Sequence, residues 1–218
     1  MQAEAEAIGR FGWKASQPTL QQQIDAAYLQ DMGITTSLFP VEASAGQAGQ
    51  DDGLDDDPEL GDERVAAVTV YTQTLGVPAR RGVNDPLVRQ GEALFDSIGC
   101  AGCHVPTVQT GVLVGVPQVS EQTIHPYTDL LLHDLGEGLG DGRPDFEATG
   151  REWRTPPLWG LGLADTVTAG TEYLHDGRAR TVEEAILWHG GEAELSAGHF
   201  RALAAQARTA VLRFLHSL

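Results

Sequence analysis

Gly99-Cys100-Ala101-Gly102-Cys103-His104 holds both cysteines of a 218-residue chain, and its Cys-x-x-Cys-His order decides how everything around it is read. The pattern is that of covalent c-type haem attachment. Two thiols three residues apart can each form a thioether with one vinyl group of a haem, and the histidine that follows then lies under the iron as its proximal ligand. Ala101 and Gly102 are small, which lets backbone pass close to a porphyrin edge. A structural disulfide, a redox dithiol and half a zinc site fit less well. A thioredoxin-like dithiol sits at a strand-to-helix turn, whereas the residues before Cys100 have helical spacing. A zinc site needs further ligands at short spacing, and the chain has no other cysteine. A haem-free dithiol or interaction module is the alternative of a different class.

Upstream of the motif, Asp85-Pro86 opens a helix whose Leu87, Gly91, Leu94, Phe95 and Ile98 form a single apolar stripe ending at Gly99. Earlier still, Thr19 is placed to cap a helix carrying Leu20, Ile24, Ala27, Tyr28 and Leu29 as far as Gly33. A further helix spans Asp62 to Leu75 and is stopped by Gly76 and Pro78. Between Pro40 and Asp62 lies an acidic loop centred on Asp51-Asp52-Gly53-Leu54-Asp55-Asp56-Asp57. Its carboxylates make calcium a weak candidate cofactor, but the EF-hand spacing is not met and a solvated loop is the simpler reading.

Downstream of His104 come roughly 75 residues rich in Gly and Pro, a length that inside a compact domain is usually functional, here the wrapping of a planar cofactor. Two helices close the chain. Thr181-Val182-Glu183-Glu184 is a capping box for one that stops at Gly190-Gly191. Ser196 is expected to cap the last, with Phe200, Leu203, Ala204, Ala207, Val211, Phe214 and Leu215 on one face. The expected fold is therefore an all-α cytochrome c-like domain with long Gly/Pro-rich loops around one haem.

Fourteen basic against 31 acidic residues give a formal charge of −17, which argues against nucleic acid as a partner and suits a basic redox protein or, more simply, a well-solvated surface. No apolar run approaches the about 18 residues of a transmembrane helix. The first residues lack the basic and apolar regions of a signal peptide, although thioether attachment normally follows export. The expectation is a periplasmic fragment whose leader is missing.

A six-coordinate c-type haem needs a second axial ligand, most often Met or His. Met1 and Met32 both precede the motif, which leaves His125, His133, His175, His189, His199 and His216. His189 shares a helical face with Val182, Ala185 and Ile186 and precedes two glycines that would let a flat ring approach. Spacing alone suits a core histidine bonded to a backbone carbonyl equally well.

Gly91-Glu-Ala-Leu-Phe95, Cys100 to His104, Trp153-Arg-Thr-Pro-Pro157, Tyr173-Leu-His-Asp-Gly177 and Thr181 to Ile186 occur in this order. Together the chain resembles the C-terminal half of the bacterial di-haem cytochrome c peroxidase superfamily. Phe11-Gly-Trp-Lys14, Asp31-Met-Gly-Ile-Thr-Thr36 and Pro126 to Asp134 resemble more narrowly the di-haem oxidoreductases called thiol oxidoreductases. The resemblance implies that His189 occupies the place of the family's distal ligand and that Arg154 pairs with a haem propionate. It also implies that His175 and Asp176 lie near the haem edge, and that Phe95, Trp153 and Trp159 line the pocket. Members of the family carry two haems, and this chain has one motif. Residues 1–84 then read as connector and remnant of an N-terminal haem half, and 85–218 as the haem domain. The implied function is single-electron transfer within a di-haem oxidoreductase or peroxidase-like protein, the partner being a redox protein or the missing haem half. If His189 does not bind iron, the alternative is a peroxidase-type enzyme with an open coordination site.

Overall fold

Thr19 starts the first helix of the computed structural model, its Oγ1 accepting from the Gln22 N–H at 3.1 Å. That helix, α1 (Leu20–Met32), ends at Gly33, whose φ of 73° suits a residue without Cβ. The helix α2 (Asp62–Gln73) begins with two carboxylates, which complement the positive end of its dipole, and stops at Thr74, ahead of the expected Gly76. The residues described are 7–42, 54, 56–168 and 170–218. They divide into two compact units. One takes the chain start to Gly12, Ser16–Leu75 and Val112–Ser120, and there α1 packs on α2. The other takes Trp13–Ala15, Gly76–Gly111 and Glu121–Leu218 and holds the haem-type motif.

In the second unit α3 (Pro86–Ser97) starts as the sequence predicts, with Pro86 in the first turn and the Asp85 carboxylate accepting from the Leu87 N–H at 2.9 Å. The all-α expectation is corrected at the next elements. β1 (Val108–Gln109) pairs antiparallel with β2 (Thr123–Ile124). β3 (Leu132–Asp134) pairs antiparallel with β4 (Glu152–Arg154), His133 facing Trp153. The protein is mostly helical with two small sheets, and the stretch read as one long loop is instead a pair of short ladders with 3-10 turns. A chain partly covered by its neighbours still needs partners for its N–H and C=O groups. Here it finds them in strands too short to show alternation in sequence.

After α4 (Ala164–Val167) and α5 (Val182–Trp188), the last predicted helix is also corrected. It is two helices, α6 (Glu194–Ala202) and α7 (Ala205–Leu215), broken where Leu203 turns extended with ψ 145°. Ser196 lies inside α6 and caps nothing, because the apolar spacing continues through the break.

α7 crosses α3 at Gly91, where a Cβ would stand 1.9 Å from the Ala210 carbonyl oxygen, so the two backbones touch. On either side of this crossing Val88, Phe95, Ile98, Tyr127, Val182, Phe200, Val211, Phe214 and Leu215 form the core. Burying each large side chain contributes about 1.5–3 kcal/mol. No helix among the described residues is long and apolar enough to cross a membrane.

Candidate functional site

The core delivers Cys100 directly. α3 ends at Ile98, and a single 3-10 turn, Cys100–Gly102, closes with the His104 N–H donating to the Cys100 carbonyl at 3.0 Å. Both thiols are free. Burial pushes the Cys100 thiol up to about 11 and raises Cys103, the latter helped by the carboxylates of Asp129 and Glu192. Both therefore remain protonated thiols at neutral pH.

The Nδ1 of His104 lies 3.1 Å from the Tyr127 carbonyl. A carbonyl can only accept, so Nδ1 carries the proton and Nε2 keeps the lone pair a metal would take. The segment that brings Tyr127 there is stitched to the motif. The Thr128 N–H donates to the Val105 carbonyl at 3.1 Å and the Asp129 N–H to the Cys103 carbonyl at 2.9 Å. Below the imidazole, Phe95 stands 6.1 Å away, centroid to centroid, and packs in turn on Tyr127 and Phe214. Burial pushes the ring down to about 4, against the opposing pull of the Tyr127 carbonyl, so His104 is neutral at pH 7. Arg80 forks onto both oxygens of Glu92 at 2.7 and 2.8 Å, and Glu92 accepts from the Tyr127 hydroxyl at 3.2 Å.

His189 sits just past the end of α5, its Nδ1 2.8 Å from the Ala185 carbonyl, so it too is held with Nε2 unprotonated. Burial lowers its basicity. It lies near enough to His104 to contribute to the depression of that ring. The Thr181 hydroxyl caps α5 by accepting from the Glu184 N–H at 3.0 Å, while the Glu184 carboxylate takes the Arg180 N–H at 3.0 Å. The two glycines that follow serve backbone packing. A Cβ on Gly191 would meet the Asp134 carbonyl at 2.2 Å, so this turn lies flat against the end of β3.

Trp153, Arg154, His175 and His133 lie on or beside β3 and β4, whereas Trp159 lines a pocket with Pro78, Arg80, His125 and Leu218. The His133 ring spans Asp129 at 2.8 Å and Glu192 at 2.9 Å, with its Nδ1 3.6 Å from the Cys103 sulfur. Burial lowers its basicity, but donating to both carboxylates raises it by more. Trp153 donates from Nε1 to the Leu139 carbonyl at 3.0 Å. His175 stacks on the indole, with centroids 3.5 Å apart and planes 11° from parallel. Arg154, next along β4, projects to the opposite face, and burial lowers its basicity. Three residues were not singled out from sequence. The Tyr127 contribution is a main-chain carbonyl, which no side-chain pattern signals. His133 was one of six candidate histidines. Lys14 was part of a quoted motif, yet it is buried with its ammonium 3.6 Å from the Trp153 ring centroid. As for calcium, Asp51, Asp52 and Asp55 lie outside the described residues. Glu42, Asp57 and Glu59 bring their carboxylates within 4.8 Å of one another.

The donor set fits a haem: two free thiols at thioether spacing, and two neutral imidazoles each presenting Nε2. These are the donors that a haem-based redox role requires. The family model described as "Di-haem oxidoreductase, putative peroxidase" matches residues 3–218, and the chain belongs to this family. Among solved structures it is similar to a chain of Kuenenia stuttgartiensis hydrazine synthase pressurised with 20 bar xenon, at 21% identity and a TM-score of 0.44. That similarity covers 71% of this chain and 55% of the other. No curated protein matches the chain.

Proposed function

We propose that residues 85–218 form a c-type cytochrome domain that passes single electrons through one haem bound by Cys100 and Cys103 and ligated by His104 and His189. The observation that supports this most is the pair of imidazoles. Each is pinned through Nδ1 to a carbonyl, at 3.1 and 2.8 Å, burial keeps each neutral, and His189 lies near enough to His104 to add to the depression of that ring. A haem held there supplies the one-electron chemistry. With a haem bound there, Phe95 would wall the His104 side, Arg154 would offer a propionate its guanidinium, and His175 and Trp153 would flank its edge. Two imidazole nitrogens favour low-spin iron, with a potential below that of His/Met cytochromes. Residues 1–84 serve as the connector to the family's other haem half, which takes or supplies the electron. The site of action is the periplasm, where thioether attachment takes place.

Expression with a cytochrome c maturation system tests each part. Haem that stays with the chain on a denaturing gel supports the thioethers, and its loss there overturns them. A low-spin ferric spectrum that becomes high-spin in His189→Ala supports the ligand pair. A high-spin spectrum in the unaltered protein, unchanged by His189→Ala, would instead favour an open, peroxide-activating site.

A further inference from the structure

We propose that Lys14 protects the Trp153 indole from one-electron oxidation by holding a fixed positive charge against one face of the ring. The ammonium stands 3.6 Å from the ring centroid on a side chain only 7% exposed, where it also meets the Asp141 carboxylate at 3.3 Å and the Thr149 carbonyl at 3.0 Å. His175 lies 3.5 Å away in a parallel stack, so lysine and histidine must occupy opposite faces of the indole. Burial keeps His175 neutral, so of the two groups laid against the indole faces only Lys14 carries a charge.

In the resting protein this contact is attractive, because the ring face carries the negative end of the quadrupole. Removal of an electron turns the attraction into repulsion between like charges in a site largely screened from water. Deprotonation would normally relieve an indole radical cation, but the Nε1 proton of Trp153 is bonded to the Leu139 carbonyl, which is too weak a base to take it. Oxidation is therefore opposed by the cation and is not rescued by proton loss.

The position gives this a purpose. Trp153 faces His133 across the β3–β4 ladder, and His133 touches the Cys103 sulfur, so the indole is two side chains from the attachment turn. An oxidised Trp153 would trap an electron hole beside the redox centre. The charge relation of Lys14 and Trp153 stands on its own geometry. Only this purpose rests on the haem reading, and the test below does not depend on which group ligates iron.

A photogenerated ruthenium(III) polypyridyl complex takes one electron from an indole and returns to ruthenium(II), and the indole radical can be freeze-quenched and counted by electron paramagnetic resonance. The other three tryptophans, Trp13, Trp159 and Trp188, are the same in every variant, so the signal absent from Trp153→Phe defines the Trp153 share. That share is expected near background in the unaltered chain. It should rise at least about tenfold in Lys14→Met and return to background in Lys14→Arg. Should Lys14→Met fail to fold, Lys14→Gln carries the same test, since its amide can still donate to Thr149. A Trp153 share that stays at the unaltered level in the neutral variant overturns the proposal. So does a rise in Lys14→Arg equal to that in the neutral variant, since lost packing would then be the cause.

Discussion

The support under His104 is assembled from distant parts of the chain: the end of α3, the 127–129 segment, and Phe214 from α7 behind Phe95 and Tyr127. The support under His189 is local, one seven-residue helix whose hydrogen bonds to the ring and to its own cap span three or four residues. The same Nδ1-to-carbonyl bond thus has two different origins. The position of His104 is a property of the folded core and should be lost only with it. The position of His189 depends on a helix too short to be stable by itself, and it can be lost while the core survives.

Removing the core beneath the first histidine breaks the comparison most severely. Phe95→Ala is expected to cost about 3–5 kcal/mol, seen as one cooperative fall in the chemical denaturation midpoint together with the loss of any signal from the His104 environment. Gly91→Ala comes next, since its Cβ would stand 1.9 Å from a carbonyl that has no side-chain freedom to yield. Overpacking of this kind costs about 1–3 kcal/mol, and a backbone obstacle puts it at the upper end. It should destabilise the whole unit without selecting one histidine.

Thr181→Ala sharpens the contrast from the other side. Losing the cap costs about 1 kcal/mol, and the cost should fall on α5 alone. In haem-loaded protein, mild heating should convert low-spin to high-spin absorbance well before global unfolding. Coincident transitions would show that α5 is not a separate weak point.

The smallest effect concerns pH. The Arg80 guanidinium holds the Glu92 carboxyl below its ordinary 4.5, outweighing the opposing effect of burial. A carboxyl depressed in the folded state adds stability that is fully present above the unfolded value and disappears as pH falls through the folded one. Glu92→Gln should therefore flatten the acid limb of the stability profile below about 4.5 and lower the plateau slightly at neutral pH. An acid limb identical to that of the unaltered protein would mean that the pair contributes nothing to holding Tyr127.

Local signals were legible in the sequence and long-range ones were not. Thr19, Asp85-Pro86 and Thr181 mark helix starts because a cap and its N–H partner are two or three residues apart. The partner of Leu132 is Arg154, in a strand of three residues, so no periodicity announced the sheet that overturned the all-α reading. The break at Leu203 escaped for the opposite reason, since apolar spacing suited to one helix persists across it. The candidate site was readable as a set of residues and not as an arrangement. Lys14 reaches Asp141 from 127 positions away, and nothing near Lys14 in the chain distinguishes it from a surface lysine.

The contact between Gly91 and Ala210 also works as a fulcrum. Cys100 lies nine residues further on, roughly 13 Å along the helix direction at 1.5 Å per residue. A tilt of about ten degrees at the crossing would swing the first thiol by roughly 2 Å, more than the length of the carbon–sulfur bond that the proposed thioether would require. Precision at the cysteine is thus set far from it, and a substitution that leaves every thiol and imidazole intact could still misplace the site.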